Sequence, residues 1–159
     1  MAKVSIIMVC LGNICRSPLA EGILQTKLNS EIATVTSAGT GNWHIGEHPD
    51  KRAIKIAKKH ALDISNKKAK QFQINDFDTF DYIYVMDKTN YQDVIALARN
   101  QQDKDKVHLL LNQIYPNQQK EVPDPYYGGE NGFKKVYDLL DAACDTIASK
   151  IKLNQQQND

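Results

Sequence analysis

Val4-Ser5-Ile6-Ile7-Met8-Val9-Cys10 leads directly into Leu11-Gly12-Asn13-Ile14-Cys15-Arg16-Ser17-Pro18. The first stretch is short, rich in β-branched residues and nearly all apolar, as a strand covered on both faces must be. It predicts a central parallel strand. After the polar turn at Gly12 and Asn13, Pro18 stands where a first helical residue would, and Leu19, Ile23, Leu24 and Leu28 recur at helical spacing. A helix over about 17–29 follows. The alternation continues with a strand over 33–38, a helix over 49–60, a strand over 81–86, a helix over 90–99 and a strand over 107–111. Strand alternating with helix in this way means an α/β protein with a parallel sheet. The last element, over 132–153, carries one stripe of Phe133, Val136, Tyr137, Leu140, Cys144, Ile147, Ala148 and Ile151, an amphipathic helix that closes the fold. Beyond it, 154–159 has no apolar side chain to offset its ordering entropy, so the domain is expected over 1–153 with a frayed, disordered tail over 154–159.

At 159 residues, 42% hydrophobic and 25% charged, the chain suffices for one buried core and is short for two. Its net charge of +1 supplies no global field for a nucleic acid or an anionic membrane, so neither is expected as a partner. Any anion must be captured by a local site. Three cysteines cannot form a paired framework, and nothing near Met1 reads as a secretory leader, so a reducing, cytoplasmic location is expected. The apolar run over 4–11 falls well short of the roughly 18 residues a membrane span needs.

Two nucleotide-binding patterns fail on inspection. Gly41 and Gly46 have Walker spacing, but Glu47 and His48 stand where Lys and Ser or Thr are required, and Glu47 would repel phosphate. Gly39-Thr40-Gly41 lacks a third glycine and follows the second strand rather than the first. His44 and His48 are separated by Gly46 and followed by Pro49, which argues against a shared helical face, and they read as surface or capping residues. No metal site is expected.

The first strand-to-helix turn is different. Cys10 to Arg16 and Ser17 spell C-x5-R-S between a buried strand and a helix. Successive N–H groups of Leu11, Gly12, Asn13, Ile14, Cys15 and Arg16 can form an anion nest, the helix N-terminus adds partial positive charge, and Arg16 can grip two phosphate oxygens. Gly12 and Asn13 supply the unusual φ values. The same field is expected to lower the Cys10 thiol pKa from ~8.5 into the range of roughly 3.5 to 7.5, giving a nucleophilic thiolate at neutral pH. Ser17 is placed to donate a hydrogen bond to that thiolate as it leaves a phosphocysteine. In the irregular stretch over 115–131, Pro123 and Pro125 hold Asp124 stiffly, as suits a general acid that later acts as base. Cys15, five residues from Cys10 in a loop curled around one anion, is a candidate redox partner that traps oxidised Cys10 as a disulfide.

The segment from Val9 to Pro18 with Ala20-Glu21, together with Asp124-Pro125-Tyr126-Tyr127, resembles the low-molecular-weight protein tyrosine phosphatases. Ser37-Ala38-Gly39-Thr40, Asp81-Tyr82-Ile83 and Met86-Asp87 extend the resemblance over nearly the whole chain. It implies a three-layer α/β/α fold with a four-stranded parallel sheet and a metal-free, cofactor-free mechanism. Cys10 would be the nucleophile, Arg16 the phosphate clamp and Asp124 the acid then base. Trp43, Tyr126 and Tyr127 would wall a cleft for the substrate ring, and Ser37 would orient Asn13. The implied partners are phosphotyrosine-containing proteins and phosphate-like oxyanions, bound by a monomer. One departure stands out: Lys67 occupies a place where the family often has histidine, and a solvated lysine is expected there. An arsenate reductase of this fold would need further cysteines to relay a disulfide. A protein arginine phosphatase is associated with Thr where this chain has Ile14, and a non-catalytic phosphate-binding module would not need both Cys10 and Asp124.

Overall fold

The computed structural model describes residues 3–126 and 128–157. Tyr127, one of the expected cleft residues, lies outside the described residues. The elements run β1 (Val4–Cys10), α1 (Arg16–Lys27), β2 (Ala33–Gly39), α2 (Lys51–Lys59), α3 (Asp76–Thr79), β3 (Tyr82–Val85), α4 (Lys88–Ile95), α5 (Gln101–Asp105), β4 (Val107–Leu109), a 3-10 turn (Leu110–Gln113) and α6 (Gly129–Gln157).

The four strands form one parallel sheet in the order β2-β1-β3-β4. β1 pairs along its length with β2, from Val4 with Ala33 to Cys10 with Gly39, and on its other side with β3. The chain therefore leaves β1 toward one edge and returns across it to the other. At such a switch of direction the loops beyond the carboxyl ends of β1 and β3 splay apart and leave a crevice. Both faces of the sheet are covered, which is why β1 reads as an unbroken apolar run. Ile6 and Met8 pack with α1, α2 and α6, while Ile7 and Val9 pack with Phe72, Phe77 and Phe80 and with Val94 of α4.

Helix boundaries follow their caps. α2 begins at Lys51 because Asp50 caps it, its carboxylate accepting the Arg52 N–H at 2.8 Å. α4 begins at Lys88, earlier than its apolar pattern suggests, because Asp87 accepts the Asn90 N–H at 2.8 Å. α3 and α5 are a turn or so long, too brief for periodicity to reveal. The strand expected over 107–111 stops at Leu109 and tightens into the 3-10 turn.

The expected tail needs correction. α6 continues to Gln157, so Asn154, Gln155, Gln156 and Gln157 are helical. The reading from hydropathy considered only what those residues could bury. Extending a helix already nucleated and packed adds one backbone hydrogen bond per residue fixed, without the cost of a new nucleus. Asn158 and Asp159 lie outside the described residues. Among the described residues no helix is long and apolar enough to cross a membrane.

Candidate active site

The β1–α1 turn closes into a loop whose shape is held from outside. The carbonyls of Cys10, Leu11 and Ile14 accept hydrogen bonds from the N–H groups of Thr40, Gly41 and Asp50 at 2.9, 2.9 and 2.8 Å. With its carbonyls tied outward, the loop can turn N–H groups inward as an anion cradle. The left-handed residue is Asn13, at φ 58°. Gly12, expected to share that conformation, does not adopt it; its missing side chain makes room for His44, whose Cδ2 would lie 3.0 Å from a Cβ at that position. Gly39, opposite Cys10 in the sheet, is required sterically, because a Cβ there would come within 2.7 Å of the Leu11 carbonyl oxygen.

Cys10 ends the buried strand with its Sγ at the centre of the loop. The Asn13 N–H donates to it at 3.3 Å, and the Ser17 Oγ lies 3.0 Å away. Arg16, only 3% exposed, is anchored through Nη1 to Asp87 Oδ2 at 2.7 Å and to the Val122 carbonyl at 2.9 Å. Its Nη2 faces Asp124 Oδ2 at 3.9 Å. Burial alone would pull the guanidinium pKa down, but the charges of Cys10, Asp87 and Asp124 more than reverse that, and Arg16 is held firmly protonated. Asp124 is half exposed, and its Oδ1 accepts the Tyr126 N–H at 3.0 Å, fixing the carboxyl at the cleft mouth.

These groups share one cleft of about 250 Å³. Its floor is made by Cys10, Leu11, Gly12, Ile14, Cys15 and Arg16, and its walls by Trp43, His44, Asp124 and Tyr126. Trp43 is 61% exposed, yet its ring lies close over Gly41, where any Cβ would collide with it at 2.4 Å. Cys15 is buried beneath the loop, and burial, followed by the charges of Asp50, Cys10 and Asp124, pushes its thiol pKa well up.

The support of Asn13 runs further than the sequence suggests. Its Nδ2 donates to Ser17 Oγ at 2.8 Å and to Ser37 Oγ at 2.9 Å, while its Oδ1 accepts the Lys70 N–H at 3.0 Å. Ser37 donates in turn to Glu21 Oε1. Glu21 Oε2 pairs with Lys67 at 3.1 Å, and the same ammonium donates to Gln25 Oε1 at 3.2 Å. The expectation of a solvated Lys67 is therefore corrected: it is the far end of a chain of contacts that reaches the Cys10 sulfur. The reason is Glu21, a carboxylate only 9% exposed that needs a cation beside it.

Lys67→Met should strand that carboxylate and lower the melting temperature by roughly 3–10 °C, the equivalent of about 1–3 kcal/mol for a chain of this size. Pairing it with Glu21→Met should restore most of the loss. Scanning fluorimetry of the single and double variants checks this, and an undiminished melting temperature for Lys67→Met contradicts the role assigned to the pair.

Sequence reasoning missed three contributors. Asp87 anchors Arg16, and its signal was its place directly after β3, at the carboxyl edge where ligands bind. His44, read as a surface histidine, lines the cleft beside Trp43 and pairs with Glu47 through Nδ1. Lys67 could be linked to the loop only once Glu21 was known to lie between them. Among the described residues, no group of three or more His, Cys, Asp or Glu side chains converges as a metal site.

Comparison with known proteins agrees with this geometry. A family model described as low molecular weight phosphotyrosine protein phosphatase matches residues 5–157. The chain is 37% identical over 153 residues to the low molecular weight phosphotyrosine protein phosphatase of Schizosaccharomyces pombe, covering 92% of this chain and 97% of that one. It is similar in structure to a protein tyrosine phosphatase from Entamoeba histolytica, with a TM-score of 0.88 and 34% identity over 96% of this chain and 99% of the other. Vibrio vulnificus Wzb, solved in complex with benzylphosphonate, superposes with a TM-score of 0.84 and 33% identity over 94% of this chain and 99% of the other.

Proposed function

We propose that this chain, which belongs to the low molecular weight phosphotyrosine protein phosphatase family, hydrolyses phosphotyrosine in proteins, and small aryl phosphates, through a phosphocysteine on Cys10. The observation that carries the reading is the Cys10 sulfur at the floor of a cleft, with the Asn13 N–H and Ser17 hydroxyl on it, anchored Arg16 beside it and Asp124 across from it. Wzb's benzylphosphonate is an aromatic ring carrying a tetrahedral phosphorus, the same pairing of groups that phosphotyrosine presents.

In the first step the loop N–H groups and Arg16 hold the three non-bridging phosphate oxygens, and the Cys10 thiolate attacks phosphorus. The bond from phosphorus to the tyrosine oxygen breaks as Asp124 delivers its proton to that oxygen. Water then attacks the phosphocysteine, Asp124 takes a proton back, and the sulfur leaves as thiolate. The Ser17 hydroxyl accepts from Asn13, so its own proton is available to the sulfur 3.0 Å away, which stabilises the departing thiolate. Arg16 strengthens its hold as charge develops on the equatorial oxygens. Trp43 and Tyr126 suit a flat substrate ring, and Ile14 gives the floor an apolar patch. These roles need no cofactor. A cytoplasmic setting is supported by three buried free thiols.

An assay in EDTA with phosphotyrosine, phosphoserine and phosphoarginine peptides side by side tests the proposal. Phosphate release from the phosphotyrosine peptide well above the other two is expected. Preference for phosphoarginine, or activity lost with EDTA, overturns it.

Peroxide should inactivate the enzyme reversibly. The Cys10 thiolate is oxidised to sulfenic acid as peroxide is reduced to water, and the Cys15 sulfur then displaces water to form a disulfide. Because the Cys15 thiol is pushed up, trapping should speed with rising pH between about 7 and 9 as more thiolate forms. Loss of the Cys10 charge on oxidation removes one of the groups holding it up. Cys15→Ser should recover less activity with dithiothreitol after peroxide than the unaltered chain; equal recovery rules the disulfide out.

A further inference from the structure

We propose that a basic groove between α2 and the start of α6 binds the carboxylate of an acidic residue close to the phosphotyrosine of a protein substrate. This deepens the phosphatase reading and rests on it. The groove, about 320 Å³, has Ile56 and Phe133 among its lining, with four cations, Arg52, Lys55, Lys59 and Lys134, around it. Glu130 is the carboxylate that lines it, and it is already neutralised: Lys55 donates to it at 2.7 Å and holds it below the usual carboxylate range, with Lys59 assisting. Arg52 is likewise committed, through Nε and Nη2, to Asp50 at 3.0 Å each. Lys59 and Lys134 make no ion pair among the described residues, so a surplus of positive charge faces this groove on a chain whose net charge is only +1.

Among the described residues, Arg52 links the groove to the active-site cleft. The Arg52 guanidinium lies 5.4 Å from the centre of the Tyr126 ring and 4.8 Å from that of Phe133. Tyr126 walls the cleft and Phe133 lines the groove, so Arg52 is the partition between them. Lys59 stands seven residues beyond Arg52 on α2, about 10 Å by helix rise, and extended peptide advances about 3.3 Å per residue, so a side chain about three positions from a phosphotyrosine in the cleft has the reach to meet the groove. The chemistry selects a carboxylate, whose charge meets two ammonium groups, Lys59 and Lys134.

The test compares phosphotyrosine peptides carrying glutamate within three positions on either side with matched peptides carrying glutamine. Each kcat/KM is taken relative to that of para-nitrophenyl phosphate, which is too small to reach the groove. The unaltered protein should favour the acidic peptide about 3–10-fold, as two exposed charge pairs allow, with the preference shrinking as salt is raised. Lys59→Glu combined with Lys134→Glu should abolish or reverse it, and Lys59→Gln with Lys134→Gln should bring it close to one. Equal values for the two peptides in the unaltered protein, or a preference that survives both double variants, overturn the groove while leaving the phosphatase reading standing. Failure to hydrolyse para-nitrophenyl phosphate and every peptide overturns that reading itself, and the groove with it.

Discussion

Cys10→Ser should abolish turnover but leave phosphate and vanadate able to bind. The loss expected is on the order of the 10⁶-fold that removal of a catalytic nucleophile costs elsewhere, because a serine hydroxyl is a far weaker nucleophile than a thiolate and Asp124 is engaged as the acid in that step. Binding survives because, apart from the Asn13 N–H that donates to the sulfur, the groups that hold the anion are fixed without it. Arg16 is fixed by Asp87 and the Val122 carbonyl, and the loop carbonyls are tied outward by Thr40, Gly41 and Asp50. Removing a thiolate that repels a phosphate dianion should even tighten binding. Arg16→Ala behaves differently and loses both, since the guanidinium serves ground and transition states alike. Titration calorimetry with phosphate and steady-state hydrolysis, run on both variants, separate the two cases. Residual hydrolysis in a pure Cys10→Ser preparation would falsify the phosphocysteine mechanism.

The contrast between these variants reflects how the site is divided between local and distant sequence. The nucleophile, the clamp and Ser17 lie within eight residues, and the strand and helix that flank them are dictated by an apolar run and by Pro18. They could be read directly because their spacing is their geometry. What steadies them comes from elsewhere: Asp87 after β3, Val122 in the long loop, and the path from Asn13 through Ser37 and Glu21 to Lys67. Asp87 is marked only by its place after β3 and Ser37 only by the family resemblance, while Val122, Glu21 and Lys67 have no local signature, since a buried carboxylate and a surface one are spelled alike. The same limit explains Lys67. A lysine among polar residues is usually solvated, and only the placement of Glu21 between Ser37 and Lys67 makes it otherwise. Short elements such as α3 and α5 escaped for a different reason, because one helical turn carries too few residues to establish a period. His44 was passed over because Gly46 and Pro49 argued only against a metal site, which left its position in the cleft untested by any pattern.

Asp124→Asn should slow phosphotyrosine hydrolysis by roughly 10² to 10⁴-fold, the usual cost of a lost general acid. Asparagine is the informative replacement. Its side-chain oxygen can still accept the Tyr126 N–H, as Asp124 Oδ1 does at 3.0 Å, so the loop between Pro123 and Pro125 keeps its shape while the ionisable group, with its transferable proton and its charge, is lost. Asp124→Ala removes both, and the difference between the two variants measures what the turn itself contributes. The penalty must then depend on the leaving group. A tyrosine oxygen, with a pKa near 10, needs its proton in the transition state, whereas para-nitrophenolate departs readily without one. Phosphocysteine formation, followed as the burst of phenol release in rapid-mixing experiments, should therefore suffer much more for phenyl phosphate than for para-nitrophenyl phosphate. The second half-reaction should slow equally for both, because the phosphocysteine carries no memory of the group that left and still requires a base to take the proton from water. An equal loss in the burst across leaving groups of different basicity would show that Asp124 acts through its charge beside Arg16, 3.9 Å away, rather than through its proton.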